Sequence, residues 1–182
     1  MVAMPAHQSA EPLLTLEEYL RTSYRPDCDF VDGRIENRLM GWYSHARTVT
    51  LLSWMLCGKQ GWDTQDWLPL LSVRTRVAAT RIRCPDVCVV ARGGPKEQIL
   101  SSPPLAVFEV LEPEDGFSKM MEKLADFERF GVKQIWIIDP ERRTAYRYIA
   151  GGLEMVRSDE LCVPGTPIRA VLSELFAELD RG

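Results

Sequence analysis

The chain has 182 residues, which suits one domain with a substantial hydrophobic core, because two domains would each be small for that purpose. Hydrophobic residues make up 46% and charged residues 26% of the sequence, proportions that are ordinary for a globular protein and exclude a disordered chain. The formal net charge of -4 does not draw the protein onto nucleic acid, so any DNA binding must depend on a local basic patch or on bound cations.

Targeting and redox features of the sequence favour a cytoplasmic protein with no membrane contact. No apolar run approaches the roughly 20 residues needed to cross a bilayer, and residues 1–10 lack the pattern of a secretion signal. The five cysteines are an odd number at irregular spacing, which fits a reducing compartment better than a disulfide framework. We expect a single domain over residues 1–182, with residues 1–12 flexible.

A short helix and a hairpin are the first elements that the sequence predicts. Thr15 is placed to cap a helix over residues 15–20, and Glu18 follows three residues later, as in a capping box. Residues 28–31 and 34–36 have the composition of two strands, and the Asp-Gly pair between them is a strong signal for a β-hairpin.

The second predicted helix covers residues 44–57, where apolar side chains recur at helical spacing, with Ser44 as its cap and Gly58 as its end. Residues 62–69 are predicted to form a loop. Residues 71–77 then alternate between apolar and polar side chains, which predicts a half-exposed strand with a basic face.

Two apolar runs of strand length, residues 87–90 and 105–111, predict central strands that are covered on both faces. Residues 117–130 have the pattern of an amphipathic helix that ends at Gly131, and residues 134–139 are predicted to form a third buried strand. A strand, a helix and an apolar strand in that order predict a right-handed crossover, so the strands before and after the helix should be parallel.

Two outer strands, residues 145–149 and 153–156, and a final helix from about residue 170 complete the predicted elements. The fold class is therefore α/β (α+β), with a mixed central sheet flanked by helices and an N-terminal helix and β-hairpin.

A pair of carboxylates in otherwise apolar strands is the most informative chemical feature of the sequence. Asp86 follows Pro85, and Glu109 lies in the middle of the 105–111 strand. Ionised carboxylates are costly to bury unless they are paired or bound to a cation, so this pair predicts a site for Mg²⁺ or Mn²⁺, with the carbonyl of Val110 as a further oxygen ligand. The alternative is a strand-end acid and an edge-strand acid paired to arginine.

Several segments of the chain, in this order and spacing, resemble the Uma-type endonuclease family within the PD-(D/E)XK nuclease superfamily. The segments are residues 15–19, 31–33, 83–90, 108–113, 123–127 and 131–140. The resemblance implies a restriction-endonuclease-like core of one helix, a three-stranded meander, a second helix and a further strand. It also implies a Mg²⁺-dependent endonuclease that hydrolyses phosphodiester bonds in DNA.

The resemblance assigns roles to particular residues. Asp86 and Glu109 are implied to bind the metal, and a lysine to place or activate the attacking water. The superfamily usually has this lysine two residues after the glutamate, where this chain has Leu111. In the Uma-type proteins a lysine on the following helix takes its place, and Lys123 occupies the matching position. Lys119 lies one helical turn earlier on the same face and could also reach the site.

Further residues are candidates for the site. Asp29 and His45 match positions of the family and could bind metal, water or phosphate, although each also has a purely structural interpretation. Three arginines on neighbouring segments could contact phosphate near the metal, or form a solvated strand face balanced by acids. They are Arg74, Arg76 and Arg83.

Alternative functions also follow from the sequence. Leu111 at the usual lysine position, Lys119 where the family often has an acid, and Glu112 where a serine is common favour a fold whose site has decayed into a binding or assembly module. A phosphodiesterase acting on RNA or on a small nucleotide is another option, because nothing in the sequence indicates base recognition. Cleavage of duplex DNA needs two sites, and we therefore expect a symmetric homodimer.

Overall fold

The computed structural model describes residues 13–38, 41–57, 65–113 and 116–181. Within these residues the helices are α1 (Leu16–Arg21), α2 (Tyr43–Leu56), α3 (Phe117–Phe130) and α4 (Leu172–Asp180). The first six strands are β1 (Asp29–Val31), β2 (Arg34–Glu36), β3 (Trp67–Leu71), β4 (Thr75–Ala78), β5 (Arg81–Arg83) and β6 (Val87–Ala91). The remaining strands are β7 (Ala106–Val110), β8 (Ile135–Asp139), β9 (Thr144–Ile149), β10 (Gly152–Met155), β11 (Glu160–Cys162) and β12 (Arg169–Val171).

The central sheet has six strands in the order β10-β9-β8-β7-β6-β3. Strands β7 and β8 are parallel, as the strand-helix-strand order predicts, and α3 is the crossover between them. The other neighbours in this sheet pair antiparallel. Strands β3, β6 and β7 therefore form an antiparallel three-stranded unit, in which β4 and β5 interrupt the implied meander between β3 and β6. The helix α3 and the further strand β8 follow this unit, so the predicted mixed sheet is confirmed.

Helices cover both faces of the central sheet. On one face, Leu52 and Leu56 of α2 pack in a buried cluster with Phe108. On the other face, α3 contributes its own apolar side chains to a second cluster that includes Val107. Because successive side chains of a strand point to opposite faces, Glu109 shares the face of Val107 and lies on the side that α3 covers.

A second sheet carries the N-terminal hairpin, in the strand order β2-β1-β5-β4. Its turn has Asp32 at φ 48° and Gly33 at φ 89°, the left-handed backbone of a type I′ turn. The predicted capping box is confirmed, because the Thr15 side chain accepts from the Glu18 N–H and Glu18 accepts from the Thr15 N–H. This sheet places β5, and the chain that leads from it to Asp86, beside the central sheet.

The structure differs from the sequence-based predictions in the middle of the chain. The strand predicted over residues 71–77 is interrupted, because Ser72 has a left-handed backbone with φ 48° and β4 begins only at Thr75. Residues 67–69, predicted as a loop, belong to β3. Strand β3 lies at an edge of the central sheet. Pro69 is tolerated there because an edge strand has a neighbour on one side only, so the N–H that a proline lacks is not needed on the other side.

Helix boundaries differ in smaller ways. The cap of α2 is Trp42, which makes no side-chain capping bond, so the prediction that Ser44 caps this helix is wrong. The last helix begins at Leu172, after a short strand that the sequence pattern did not indicate. The predicted helix end at Gly58 and the flexible segment at residues 1–12 lie outside the described residues. None of the described helices combines the length and apolarity that a bilayer span requires.

Candidate active site

Asp86 lies immediately before β6, in a position where every polar contact of its carboxylate comes from a different element. Its Oδ2 atom accepts the backbone N–H of Val110 on β7 at 2.8 Å and lies 3.2 Å from Nε2 of His45 near the start of α2. Its Oδ1 atom accepts from the guanidinium of Arg38, in the segment that follows β2. The side chain is 5% exposed, so these contacts replace most of its hydration.

Glu109 is the second carboxylate, and among the described residues only one of its two oxygens has a hydrogen-bond partner. Oε2 accepts from Nζ of Lys123 at 2.9 Å. Oε1 is buried, and no described residue gives it a hydrogen bond. Burying a carboxylate oxygen without a donor costs considerable free energy when the group is ionised, so this oxygen could accept a further cation.

Lys123 lies on the buried side of α3 and is held by two acceptors. Its Nζ atom donates to Glu109 and to the backbone carbonyl of Cys84, each at 2.9 Å. The lysine is 9% exposed, unlike the usual solvated lysine of an amphipathic helix. The structure thus brings Asp86, Glu109 and Lys123 to the same place.

One open cavity of about 460 Å³ contains these groups. Most of the residues that the sequence singled out line it, and they come from both sheets and from α2 and α3. The predicted site residues among its lining are Asp29, His45, Arg83, Asp86, Glu109, Val110, Lys119 and Lys123. Arg38 and Ser72 also line the cavity, and the sequence did not single out either of them.

Arg83 and Asp29 line the cavity and belong to a buried ionic network. The guanidinium of Arg83, in a residue 1% exposed, contacts Asp126 at 2.7 Å, Glu36 at 2.7 Å and Asp29 at 3.2 Å. Asp29 also accepts the backbone N–H of Cys84 at 2.8 Å. The guanidinium of Arg83 is therefore bound to carboxylates. The bond from Asp29 fixes the backbone of Cys84, whose carbonyl accepts from Lys123.

The structure does not bring Arg74 and Arg76 to the cavity, since neither is among the described residues that line it. Arg74 pairs with Asp27 at 2.7 Å and lies 4.5 Å above the ring of Tyr19. Arg76 is on the exposed face of β4. The alternation that suggested a shared basic face is broken at Ser72, so Arg74 precedes the strand rather than belonging to it.

The ionisation of the two carboxylates is set by burial and by the cations around them. Burial raises the pKa of Glu109 to about 8, although the charges of Lys123 and Arg38 oppose this effect. Burial acts in the same direction on Asp86, but the hydrogen bond from His45 and the charges of Lys123 and Arg38 outweigh it and hold the pKa below its ordinary value. The two acids therefore differ in how completely their charge is balanced.

Burial disfavours the charged forms of Lys123 and His45, but the carboxylates around them outweigh this effect. Burial lowers the pKa of Lys123, but the carboxylates of Glu109 and Asp29 outweigh it, and the net pKa is raised. The pKa of His45 is likewise raised, because Asp86 and Glu112 outweigh the effect of burial. His45 Nδ1 lies 3.7 Å from a carboxylate oxygen of Glu112, so the imidazole sits between two acids.

The donors present fit a hard divalent cation, although the described residues include no cluster of three or more His, Cys, Asp or Glu side chains arranged for a metal. The unpartnered Oε1 of Glu109 is the observation that supports the fit. The N–H of Val110 is bonded toward Asp86, and the N–H and C=O of a strand residue point to the same neighbouring strand. The Val110 carbonyl therefore also points toward Asp86, as an oxygen ligand of a shared metal would have to.

Comparison with known proteins supports this description of the fold. The model of the Uma2 family, described as "Putative restriction endonuclease", matches residues 16–168. A crystal structure described as "a putative nuclease belonging to DUF820", from Anabaena variabilis ATCC 29413, superposes with a TM-score of 0.75 at 19% identity, covering 91% of this chain and 99% of that chain. Identity this low shows a common fold and nothing more.

A second solved structure, a DrdV–DNA complex studied by cryo-electron microscopy, has 18% identity and a TM-score of 0.39, and the match covers 72% of this chain and 10% of that chain. A score at that level does not establish a common fold. No curated protein matches the chain. The family model, which spans most of the sequence, places the chain in the Uma2 family, described as "Putative restriction endonuclease".

Proposed function

We propose that this protein is a Mg²⁺-dependent endonuclease, also able to use Mn²⁺, that hydrolyses phosphodiester bonds in DNA. The observation that carries the proposal is the buried Oε1 of Glu109, which no described residue hydrogen-bonds, in a cavity that also contains Asp86 and Lys123. Membership of the Uma2 family supports the same conclusion.

Asp86, Glu109 and the carbonyl of Val110 would hold the metal. A bound divalent cation supplies positive charge where negative charge develops on the phosphate, and it makes water a better nucleophile. Glu109 has to be ionised to act as a ligand. The positive charge of Lys123 favours the ionised form of Glu109.

Lys123 is suited to hold the substrate or the attacking water. Its ammonium has three N–H donors, and two of them are directed to Glu109 and to the carbonyl of Cys84. The third can be directed to a phosphate oxygen or to water in the cavity. Because the Cys84 backbone is fixed by Asp29, the position of the ammonium is set before substrate binds.

His45 and Lys119 would add positive charge in the cavity, where they could contact a phosphate backbone. Lys119 is exposed and lines the cavity. We further propose that the protein acts as a cytoplasmic homodimer on DNA, since two sites related by a twofold axis match the two antiparallel strands of a duplex.

Plasmid cleavage tests the proposal directly. Wild-type protein incubated with supercoiled plasmid in Mg²⁺ or Mn²⁺ should nick or linearise it, and EDTA should prevent this. Asp86→Asn and Glu109→Gln should each lower the rate by at least about a hundredfold, the scale expected when a group that stabilises the transition state is removed. Glu154→Gln, which changes an exposed acid on β10, is the matched control and should cleave at the wild-type rate. Intact plasmid and RNA across a range of metals would contradict the proposal.

A non-catalytic binding or assembly module is the second candidate. The observation that favours it is that both carboxylates already have a cationic partner, Arg38 for Asp86 and Lys123 for Glu109. Calorimetric titration with Mg²⁺ and Mn²⁺ separates the two functions. Heat of binding in wild-type protein that is lost in Asp86→Asn supports the nuclease, and its absence with and without DNA supports the module.

A further inference from the structure

Arg38 is a basic residue of the cavity to which the proposed chemistry gives no role. It follows β2 and lines the cavity, with its side chain 19% exposed. One terminal nitrogen donates to Oδ1 of Asp86, and the other donates to the hydroxyl of Ser72 at 2.9 Å. The guanidinium therefore holds the same carboxylate that would bind a metal.

Electrostatic repulsion disfavours the simultaneous contact of Arg38 and a divalent cation with Asp86. Asp86 and Glu109 carry two negative charges when ionised, and Arg38 and Lys123 already supply two positive charges at direct contact. A divalent cation bound to both carboxylates would bring two more positive charges. Like charges in a buried site repel strongly, and His45 also lies 3.2 Å from Asp86, so we expect one of the basic side chains to move away when a metal binds.

Arg38 is the side chain that can move at the lower cost. Lys123 lies on a helix and makes two buried hydrogen bonds, to Glu109 and to a backbone carbonyl. Arg38 lies outside the helices and strands, and its hydrogen bond to Ser72 is exposed. The exposed hydrogen bond between Arg38 and Ser72 can be replaced by one to water at little cost. Moving Lys123 would instead leave two buried acceptors without their donor, which costs much more free energy.

We propose that Arg38 and a divalent cation compete for Asp86, and that Arg38, once displaced, binds the phosphodiester of the substrate. A guanidinium forms two parallel hydrogen bonds with a phosphate as readily as with a carboxylate. The exchange would couple the two binding events, because metal binding releases the group that then holds the nucleic acid. The inference rests on the proposed function, since it requires that Asp86 bind metal.

Binding measurements without catalysis test the exchange. Calorimetric titration of Mn²⁺ into the protein without nucleic acid should show about tenfold tighter binding to Arg38→Met than to wild type, because a competing charge has been removed. Fluorescence anisotropy of a labelled DNA oligonucleotide in Ca²⁺ should show weaker binding to the same variant. Opposite changes in the two affinities distinguish this role from a merely structural one, which would weaken both.

Matched variants complete the experiment. Arg34→Met removes an exposed arginine of β2 that is not among the described residues lining the cavity, and it should change neither affinity. Arg38→Gln serves if Arg38→Met does not fold, and the same two shifts are expected. Mn²⁺ binding to either Arg38 variant that is equal to or weaker than in wild type overturns the inference. If neither wild type nor the Arg38 variants bind Mn²⁺, the metal site itself is overturned, and the inference falls with the proposed function.

Discussion

Glu109 and Lys123 form a buried contact that becomes an ion pair above the pKa of Glu109, about 8, and in which each group depends on the other. Removing one member of such a pair leaves a buried charge without compensation, which typically costs about 3 to 5 kcal/mol. The pair is close, at 2.9 Å, and its side chains are 11% and 2% exposed, so little solvent screens it. The stability of the protein should therefore report on this contact independently of any activity.

Above pH 8, where Glu109 is ionised, we expect Lys123→Met to lower the free energy of unfolding by about 3 kcal/mol. The double variant Lys123→Met/Glu109→Gln should recover most of that loss, because the unpaired charge is then gone. Urea unfolding of the wild type, both single variants and the double variant gives the coupling energy directly. Lys119→Met, on the exposed side of the same helix, should change stability by less than about 0.5 kcal/mol. Additive losses from the two single variants would show that the pair does not interact.

The pKa of Glu109 makes a second prediction at the scale of a residue. Burial raises it to about 8 in the folded protein from an ordinary 4.5. Between these values the unfolded chain has released a proton that the folded chain retains, so the free energy of unfolding falls as the pH rises. Glu109 should contribute a fall of at most about 1.4 kcal/mol per pH unit in this window.

Urea unfolding in EDTA from pH 5 to pH 8, roughly the range over which this carboxyl titrates, measures the free energy of unfolding of the wild type. The comparison is with Glu109→Gln, which cannot titrate at this position. The difference in stability between wild type and variant should shift in favour of the variant as the pH rises. Parallel stability profiles for the two proteins would show that Glu109 titrates at the same pH in the folded and unfolded states.

Residues differ in how far the sequence alone could place them. Asp86 and Glu109 could be found because acids are unusual in apolar strands, and the family resemblance indicated Lys123. Arg38 could not be found, because it contacts Asp86 across 48 positions of the chain, and nothing local distinguishes it from the other arginines. Arg74 and Arg76 were misplaced for the opposite reason, since a local alternation was extended through a left-handed residue, Ser72.

At the scale of an element, the strongest patterns gave the correct structure. Strands β7 and β8 are long apolar runs, and α3 has a clear amphipathic repeat that ends at Gly131, so their order predicted the parallel pair. Strands β5, β11 and β12 have three residues each, which is too short for a period of two to be recognised. Their positions depend on pairing with distant segments instead.

The end of α3 allows a prediction about how the helix holds Lys123. Gly131 adopts φ 110°, a backbone that L side chains rarely adopt, and an added Cβ would lie 3.3 Å from Cγ of Pro103. Gly131→Ala should therefore lower the free energy of unfolding by about 1 to 2 kcal/mol, as measured by urea unfolding.

The control for this prediction is Gly93→Ala, because an added Cβ there meets no atom within 4 Å. That variant should change stability by no more than about 0.5 kcal/mol. Equal effects of the two substitutions would show that the left-handed cap does not constrain the end of α3.

At the scale of the whole molecule, the distribution of charge limits how the protein can meet nucleic acid. The net charge is -4, and the cavity lining includes acids such as Glu36 and Glu112 as well as basic side chains. Long-range attraction to a phosphate backbone is therefore weak, and binding must depend on a few contacts at the site and on the metal. Such a protein gains little from electrostatic steering, so a second site in the same assembly would help to keep it on DNA.

The proposed homodimer leads to a prediction about the products of cleavage. Two sites in one assembly cut both strands during a single binding event, whereas separate monomers cut one strand at a time. We expect sedimentation equilibrium to give twice the chain mass of 20.7 kDa, and linear plasmid to appear without prior accumulation of the nicked circle. The ratio of linear to nicked product should fall when the protein is diluted below the dimer dissociation constant, because only monomers then remain. A mass of one chain at all concentrations, together with nicked circles that form first and are linearised later, would show that each protomer acts alone.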